Sequence, residues 1–200
     1  VSVLEEFLHL AKSNLPEPHH IVAHSMGGAV ALDYLLKVQQ EFSGRVVLIA
    51  PLVRSSHWNL SRFGHSLGKH LTDSMERVYP ETSSDQEFLE FTKNDPLQEK
   101  RMPMKWFSAL VEWNQRIVDY DPSNLPVMVI QGTEDTTVDW EYNMEFIKEK
   151  FPKAEIFIIE KGGHHLINEP LPLRTKVIQL MADYIEGLEV FDYKRKIIEE

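Results

Sequence analysis

His20-Ile21-Val22-Ala23-His24-Ser25-Met26-Gly27-Gly28-Ala29-Val30-Ala31-Leu32 is the stretch whose reading decides the fold. An apolar run ends at one serine, two glycines follow, and an apolar helical pattern begins. That order describes a strand, a very tight turn and a helix. Ser25 stands at the apex, with Ala23 and Gly27 two residues to either side. In the G-x-S-x-G elbow those flanking positions are small because strand and helix nearly touch, and Ala23 departs only mildly from the first glycine. Such a turn holds its serine in strained dihedrals. It exposes the hydroxyl and aims the following backbone N–H groups, starting with Met26, at an oxyanion. A plain Ser-Gly turn into an ordinary helix fits the same thirteen residues taken alone.

The rest of the chain narrows the choice. Two hundred residues suit one domain with a sizeable core and an insertion. Hydrophobic residues make up 42% and charged ones 26%, as in ordinary globular proteins. The net charge of −10 argues against nucleic acid as a partner, since phosphate neutralisation needs a basic face. It argues equally against charge-driven adhesion to anionic membranes. Without cysteine, disulfides, thiolate catalysis and zinc–cysteine sites are excluded. No apolar run approaches the roughly 18 residues of an integral membrane segment. The chain opens on an amphipathic segment with Glu5 and Glu6 rather than a signal peptide, so the expected location is cytoplasmic.

Taken in order, residues 2–14 read as a helix, with Ser2 and Glu5 as a capping box and Leu4, Phe7, Leu8 and Ala11 as its apolar stripe. Pro16 and Pro18 break it. After the strand ending at His24 comes a helix from about Gly27 to Gln40. Arg45 to Ala50 and Pro126 to Gln131 are apolar runs too continuous for half-exposed strands, so they read as buried ones, and Ala154 to Ile159 reads as a last strand. Helical patterns cover Trp140 to Lys150 and Pro172 to Ile185. Residues 55–122 lose the alternation, with helical periodicity clearest from Pro103 to Val118. Alternating strands and helices predict an α/β fold, a mostly parallel sheet with helices on both faces. Residues 1–54 and 123–200 would form the core and 55–122 an inserted helical cap.

A serine hydroxyl becomes a nucleophile only when a base takes its proton and a carboxylate orients that base. The strand at 127–131 runs into Gly132-Thr133-Glu134-Asp135-Thr136-Thr137-Val138-Asp139, and that at 154–159 into Lys161-Gly162-Gly163-His164-His165-Leu166. Parallel topology puts both loops and the Ser25 turn at the carboxyl edge of the sheet, where such sheets build sites. Glu134, Asp135 and Asp139 all offer a carboxylate, Asp139 also fitting a helix cap before Trp140. His164 and His165 both offer a base.

These residues carry a specific resemblance. His24-Ser25-Met26-Gly27-Gly28, Ala50-Pro51, Asn94-Asp95-Pro96-Leu97, Gly132-Thr133-Glu134-Asp135 and the segment from Gly163 to Asn168-Glu169 are similar to those of α/β-hydrolases. The branch is the serine-aminopeptidase-like one that includes monoglyceride lipases and lysophospholipases. The resemblance implies the α/β-hydrolase fold and hydrolysis of small or lipid-like carboxylic esters through an acyl-enzyme. By position it makes Ser25 the nucleophile, Asp135 the acid three residues after Gly132, and Met26 an oxyanion donor. Asn168-Glu169 follows as in the lysophospholipase-like form, which makes His164 the expected base, and the monoglyceride-lipase form makes His165 the alternative. Thioesterase or acyltransferase chemistry with the same triad, or a non-catalytic binding module, remain alternatives.

The other histidines read blandly. His24 would pack near the elbow, His19 and His20 lie in a loop, and His57, His65 and His70 lack metal-site spacing, so no metal or cofactor is expected. Trp58, Trp106 and Trp113 either bury the cap against the core or line a substrate pocket, or both. The family's fold starts with several strands before the first helix seen here, and its early loop supplies a second oxyanion N–H. This predicts that Val1 is not the biological start, or that another segment completes the sheet. An unpaired sheet edge would favour self-association.

Overall fold

The computed structural model describes residues 3–38, 42–68, 72–77 and 81–188. Ser2 of the expected capping box and His70 lie outside them. The elements run α1 (Val3–Asn14), β1 (Ile21–His24), α2 (Met26–Val38), β2 (Val46–Ile49), α3 (Trp58–Gly68), β3 (Ser74–Glu76), α4 (Gln86–Asn94), β4 (Arg101–Pro103), α5 (Met104–Ile117), β5 (Met128–Gly132), α6 (Trp140–Lys150), β6 (Glu155–Ile159) and α7 (Leu173–Glu186), with a 3-10 turn at Leu166–Asn168.

Four strands form one parallel sheet in the order β1-β2-β5-β6. The continuous apolar runs have a simple cause: both faces of this sheet are covered. Val46, Leu48 and Val129 face a cluster with Leu32, Leu35 and Leu36 of α2 and Ile147 of α6. Val47, Ile49, Met128 and Ile130 face the opposite cluster, with Val177, Leu180 and Tyr184 of α7. Side chains alternate along β2, so one four-residue strand feeds two cores. At the β1 edge, Val22 keeps 50% of its surface exposed.

Between β2 and β5 the alternation stops, as the sequence implies, but the segment is not purely helical. It holds α3, α4 and α5 together with an antiparallel ribbon, β3 against β4, in the register Ser74↔Pro103, Met75↔Met102 and Glu76↔Arg101. Each strand has three residues, too few for a period to register. The ribbon is held partly by a side chain, as Arg101 donates from Nε to Ser74 Oγ at 2.8 Å and from Nη2 to Ser74 O at 3.0 Å. Trp58 and Phe107 join this segment to the core through Ala29, Leu52 and Val138. Farther along, the ammonium of the buried Lys150 donates to the carbonyls of Val118 and Tyr120 at 2.7 and 2.8 Å, anchoring the chain just after α5.

Candidate active site

Ser25 sits between the last residue of β1 and the first of α2, with φ of +52°. For a residue with a Cβ that region costs about 1–2 kcal/mol, so it persists only where neighbours impose it. They do so through the backbone. Ser25 N–H donates to Ile49 O at 3.0 Å, and Ser25 O accepts from Leu52 N–H at 3.0 Å and from Ala29 N–H at 3.3 Å. The turn is thus bonded on both sides to the end of β2 and the loop after it.

The crowding behind the turn falls one residue later than the elbow pattern suggests. A Cβ at Gly27 would lie 3.9 Å from Ala23 Cβ, an ordinary contact. A Cβ at Gly28 would lie 2.8 Å from Pro51 Cβ and 2.9 Å from Pro51 Cα, a forced overlap with backbone. Gly28→Ala is therefore expected to lower stability by about 1–3 kcal/mol, the usual cost of overpacking. Gly27→Ala should be neutral or stabilising by up to about 1 kcal/mol, through better helix propensity. Urea unfolding midpoints of the two variants check this, and equal midpoints would count against the Pro51 contact.

Past the ends of β5 and β6, two loops bring an acid and an imidazole to Ser25. His164 Nδ1 lies 2.8 Å from Asp135 Oδ2, and His164 Nε2 lies 2.9 Å from Ser25 Oγ. Asp135 and His164 are buried, at 5% and 4% exposure. The carboxylate is held as an acceptor on both oxygens. Oδ1 takes the N–H groups of Thr137 at 2.8 Å and Val138 at 3.1 Å, and Oδ2 also takes Gln131 Nε2 at 3.0 Å. Burial alone would raise the Asp135 pKa. Hydrogen bonds from His164, Gln131 and Thr137, with the His164 charge, outweigh it and leave the carboxyl below its ordinary value.

The other candidates fall elsewhere. Glu134 is exposed. Asp139 caps α6, its side chain accepting from Tyr142 N–H. His165 points away from Ser25 into a ring cluster, with centroids 4.7 Å from His24, 5.3 Å from His164 and 5.2 Å from Phe88 of α4. Burial first, then the neighbouring His24 and His164, push its pKa down to about 4, so it is neutral at neutral pH. His24 is lowered too, mainly by burial and then by His164. Its Nε2 lies 3.0 Å from the His164 carbonyl oxygen, so the neutral ring donates there.

Of the three tryptophans considered for the pocket, Trp106 comes to the elbow, its Nε1–H directed at Met26 Sδ at 3.2 Å. Met26 itself is 52% exposed beside Ser25. Trp113 is turned to the middle of α2, donating to Asp33 Oδ1 at 3.0 Å. Trp58 is buried against Phe107, with ring centroids 5.7 Å apart. Gln131 belongs to no motif in the sequence, and Glu169 enters there only as part of the segment that carries the resemblance, without a role of its own. A lone glutamine ending an apolar strand was the available signal for the first. Among the described residues no group of acids and histidines is placed to hold a metal ion. Likewise no helix among them is long and apolar enough to cross a membrane.

A parallel sheet with helices on both faces, carrying a strained serine turn, an acid loop and a histidine loop along one edge, is an α/β-hydrolase arrangement. The chain belongs to the hydrolase family described as serine aminopeptidase S33, which it matches over residues 2–171. No curated protein matches it in sequence. Among solved structures it resembles the Paleococcus ferrophilus monoacylglycerol lipase at 18% identity and a TM-score of 0.75, covering 93% of this chain and 76% of that one. A soluble variant of the Saccharomyces cerevisiae monoglyceride lipase is similar at 16% identity and a TM-score of 0.75, over 92% of this chain and 66% of that one. A thermostable carboxyl esterase from Bacillus coagulans follows at 14% identity and a TM-score of 0.67, over 92% and 69%. The chain thus spans between 66% and 76% of the length of these proteins, and at such identities the likeness is one of fold.

Proposed function

We propose that the chain carries the active site of a serine hydrolase that cleaves small or lipid-like carboxylic esters. The observation behind the reading is the unbroken path Asp135 Oδ2, His164 Nδ1, His164 Nε2, Ser25 Oγ, with links of 2.8 and 2.9 Å. In this reading His164 Nε2 takes the Ser25 proton as Oγ attacks the acyl carbonyl. The negative charge that forms on the carbonyl oxygen is met by Met26 N–H at the positive end of α2. His164 then returns the proton to the leaving alcohol. A water, deprotonated by the same nitrogen, releases the acid and restores the serine. Asp135 keeps the Nδ1 tautomer and orients the ring.

The substrate class rests on the family and on an apolar environment at the elbow. The similar structures include monoacylglycerol lipases and a carboxyl esterase. Trp106, from the inserted segment that we read as a cap over residues 55–122, reaches Met26 next to Ser25. In this reading Trp106 is the tryptophan that touches an acyl or alcohol chain.

Fluorophosphonate labelling followed by intact-mass measurement tests this. One adduct is expected on the folded chain and none on Ser25→Ala. A folded chain that takes no label, or a label that survives in Ser25→Ala, would sink the assignment.

A further inference from the structure

We propose that Glu169 is a positioning residue for His164, and that through it the Thr82–Asp85 segment of the insertion is strapped to the loop carrying the base. The proposal deepens the ester-hydrolase reading and rests on it for its kinetic consequence, though not for its structural one.

Glu169 has 0% of its surface exposed. Among the described residues no cation pairs with it, and its partners are neutral donors, one from its own loop and the others from the distant Ser83–Ser84. Oε1 accepts from Gly163 N–H at 2.7 Å. Oε2 accepts from Ser84 N–H at 2.9 Å and from the Ser84 hydroxyl at 2.6 Å. The Ser83 hydroxyl stands 3.3 Å from Oε2 but 2.9 Å from Asn168 O, to which it donates. A buried carboxylate is costly unless its lone pairs are met, and here both oxygens are. Two acceptor oxygens pointing opposite ways are what the geometry requires, because one faces the histidine loop and the other the insertion.

The loop is gripped at three successive residues. Glu169 holds Gly163 N–H, His24 holds His164 O at 3.0 Å, and Thr82 O accepts from His165 N–H at 2.7 Å. No slack is left beside it: a Cβ on Gly163 would lie 2.8 Å from Thr82 O and 2.9 Å from Glu169 Oε1. The strap then leads into α4, where Asp85 accepts from Phe88 N–H at 3.0 Å and the Phe88 ring packs on His165. Glu169 touches neither Ser25 nor the His164 ring in this arrangement. It acts through the backbone, setting where the imidazole stands between Ser25 and Asp135.

Glutamine has the same shape but one acceptor, so Glu169→Gln turns an NH2 toward either Gly163 N–H or Ser84 N–H and releases one side of the strap. Displacing a catalytic group by about 1 Å costs on the order of 100-fold in rate. In the full chain, Glu169→Gln should therefore lower kcat on p-nitrophenyl butyrate by about 10- to 100-fold with KM changed less than about threefold. Ser84→Ala, which removes one of the three donors, should lower kcat less. The far-downfield proton resonance of His164 Nδ1–H should shift or broaden in both variants. Unchanged kcat and an unchanged resonance in Glu169→Gln, even with a lower melting temperature, would overturn the proposal, since that is what a merely structural group would give. Should Glu169→Gln fail to fold, the same two readouts on Ser84→Ala decide, because that variant leaves the carboxylate its two N–H partners. A parent chain that neither hydrolyses ester nor takes fluorophosphonate would overturn the hydrolase reading, while the proton resonance would still judge the strap.

Discussion

Asp135→Asn is expected to lower kcat about 10⁴-fold while leaving the fold intact, the size seen when a triad histidine is held in the wrong tautomer. The reason lies in which donors surround the carboxylate. Oδ1 faces two backbone N–H groups, those of Thr137 and Val138, which cannot turn away. The asparagine carbonyl must take that position, so its NH2 replaces Oδ2 and points at His164 Nδ1. Nδ1 then has to accept, which moves the ring proton to Nε2. A protonated Nε2 cannot take the Ser25 proton across the 2.9 Å contact. The Gln131 amide, which donates to Oδ2 and to Gly132 O in the parent, would also lose the first of these two acceptors, at a cost of about 1 kcal/mol. The measurement is kcat and fluorophosphonate labelling rate against the parent, with circular dichroism to show that folding is retained. A folded Asp135→Asn chain with turnover within tenfold of the parent would remove Asp135 from the proposed mechanism.

Much of the fold was legible because burial of both sheet faces writes itself as unbroken apolar runs. Val46 to Ile49 and Met128 to Ile130 carry no alternation to misread. The elements of the core therefore fall within a residue or two of where periodicity places them, as with α7 at Leu173–Glu186 against an expected Pro172 to Ile185. The β3–β4 ribbon was not legible. Its three-residue strands are polar, and Arg101 contributes side-chain bonds that no pattern announces.

At the site, Ser25 and the two loops could be found because strand ends followed by glycine-rich turns mark the carboxyl edge of a parallel sheet. In sequence, His164 is preferred to His165 through the resemblance alone, because neighbouring identical residues carry no physical pattern to separate them. The choice depends on which ring turns back toward Asp135, and that is set by bonds from other segments: His24 to His164 O and Thr82 O to His165 N–H. The role of Glu169 was hidden for the same reason, since its partners Ser83 and Ser84 lie about 85 residues away in sequence. Gly28 was visible as a small residue, but the Pro51 contact that requires it belongs to another loop.

Gly132→Ala is expected to destabilise the chain by about 3 kcal/mol or more, at the upper end of overpacking costs, and to abolish labelling at Ser25. Gly-to-Ala changes elsewhere often stabilise by about 0.4–1 kcal/mol, by restricting the unfolded chain. Here the sign is set by contact. A Cβ on Gly132 would overlap the Gly162 carbonyl and lie 2.7 Å from Gly163 O. These are backbone atoms of the histidine loop, with no flexible side chain to move aside. Gly132 is also the last residue of β5 and pairs with Ile159, the last of β6, so it stands where the acid and base loops leave the sheet together. Immediately beyond it the loops are stitched: Thr133 N–H donates to Ile159 O at 3.0 Å, Glu134 N–H to Gly162 O at 2.9 Å, and Lys161 N–H to Thr133 Oγ1 at 3.0 Å. An added methyl group pushes Gly162 and Gly163 away from β5, which breaks those bonds and carries His164 off Asp135. Stability and labelling should thus fall together in Gly132→Ala, whereas Asp135→Asn should lose activity with a much smaller loss of stability. Thermal unfolding with labelling of both variants checks the contrast. A Gly132→Ala chain that melts with the parent would show that the two loops tolerate separation at this point.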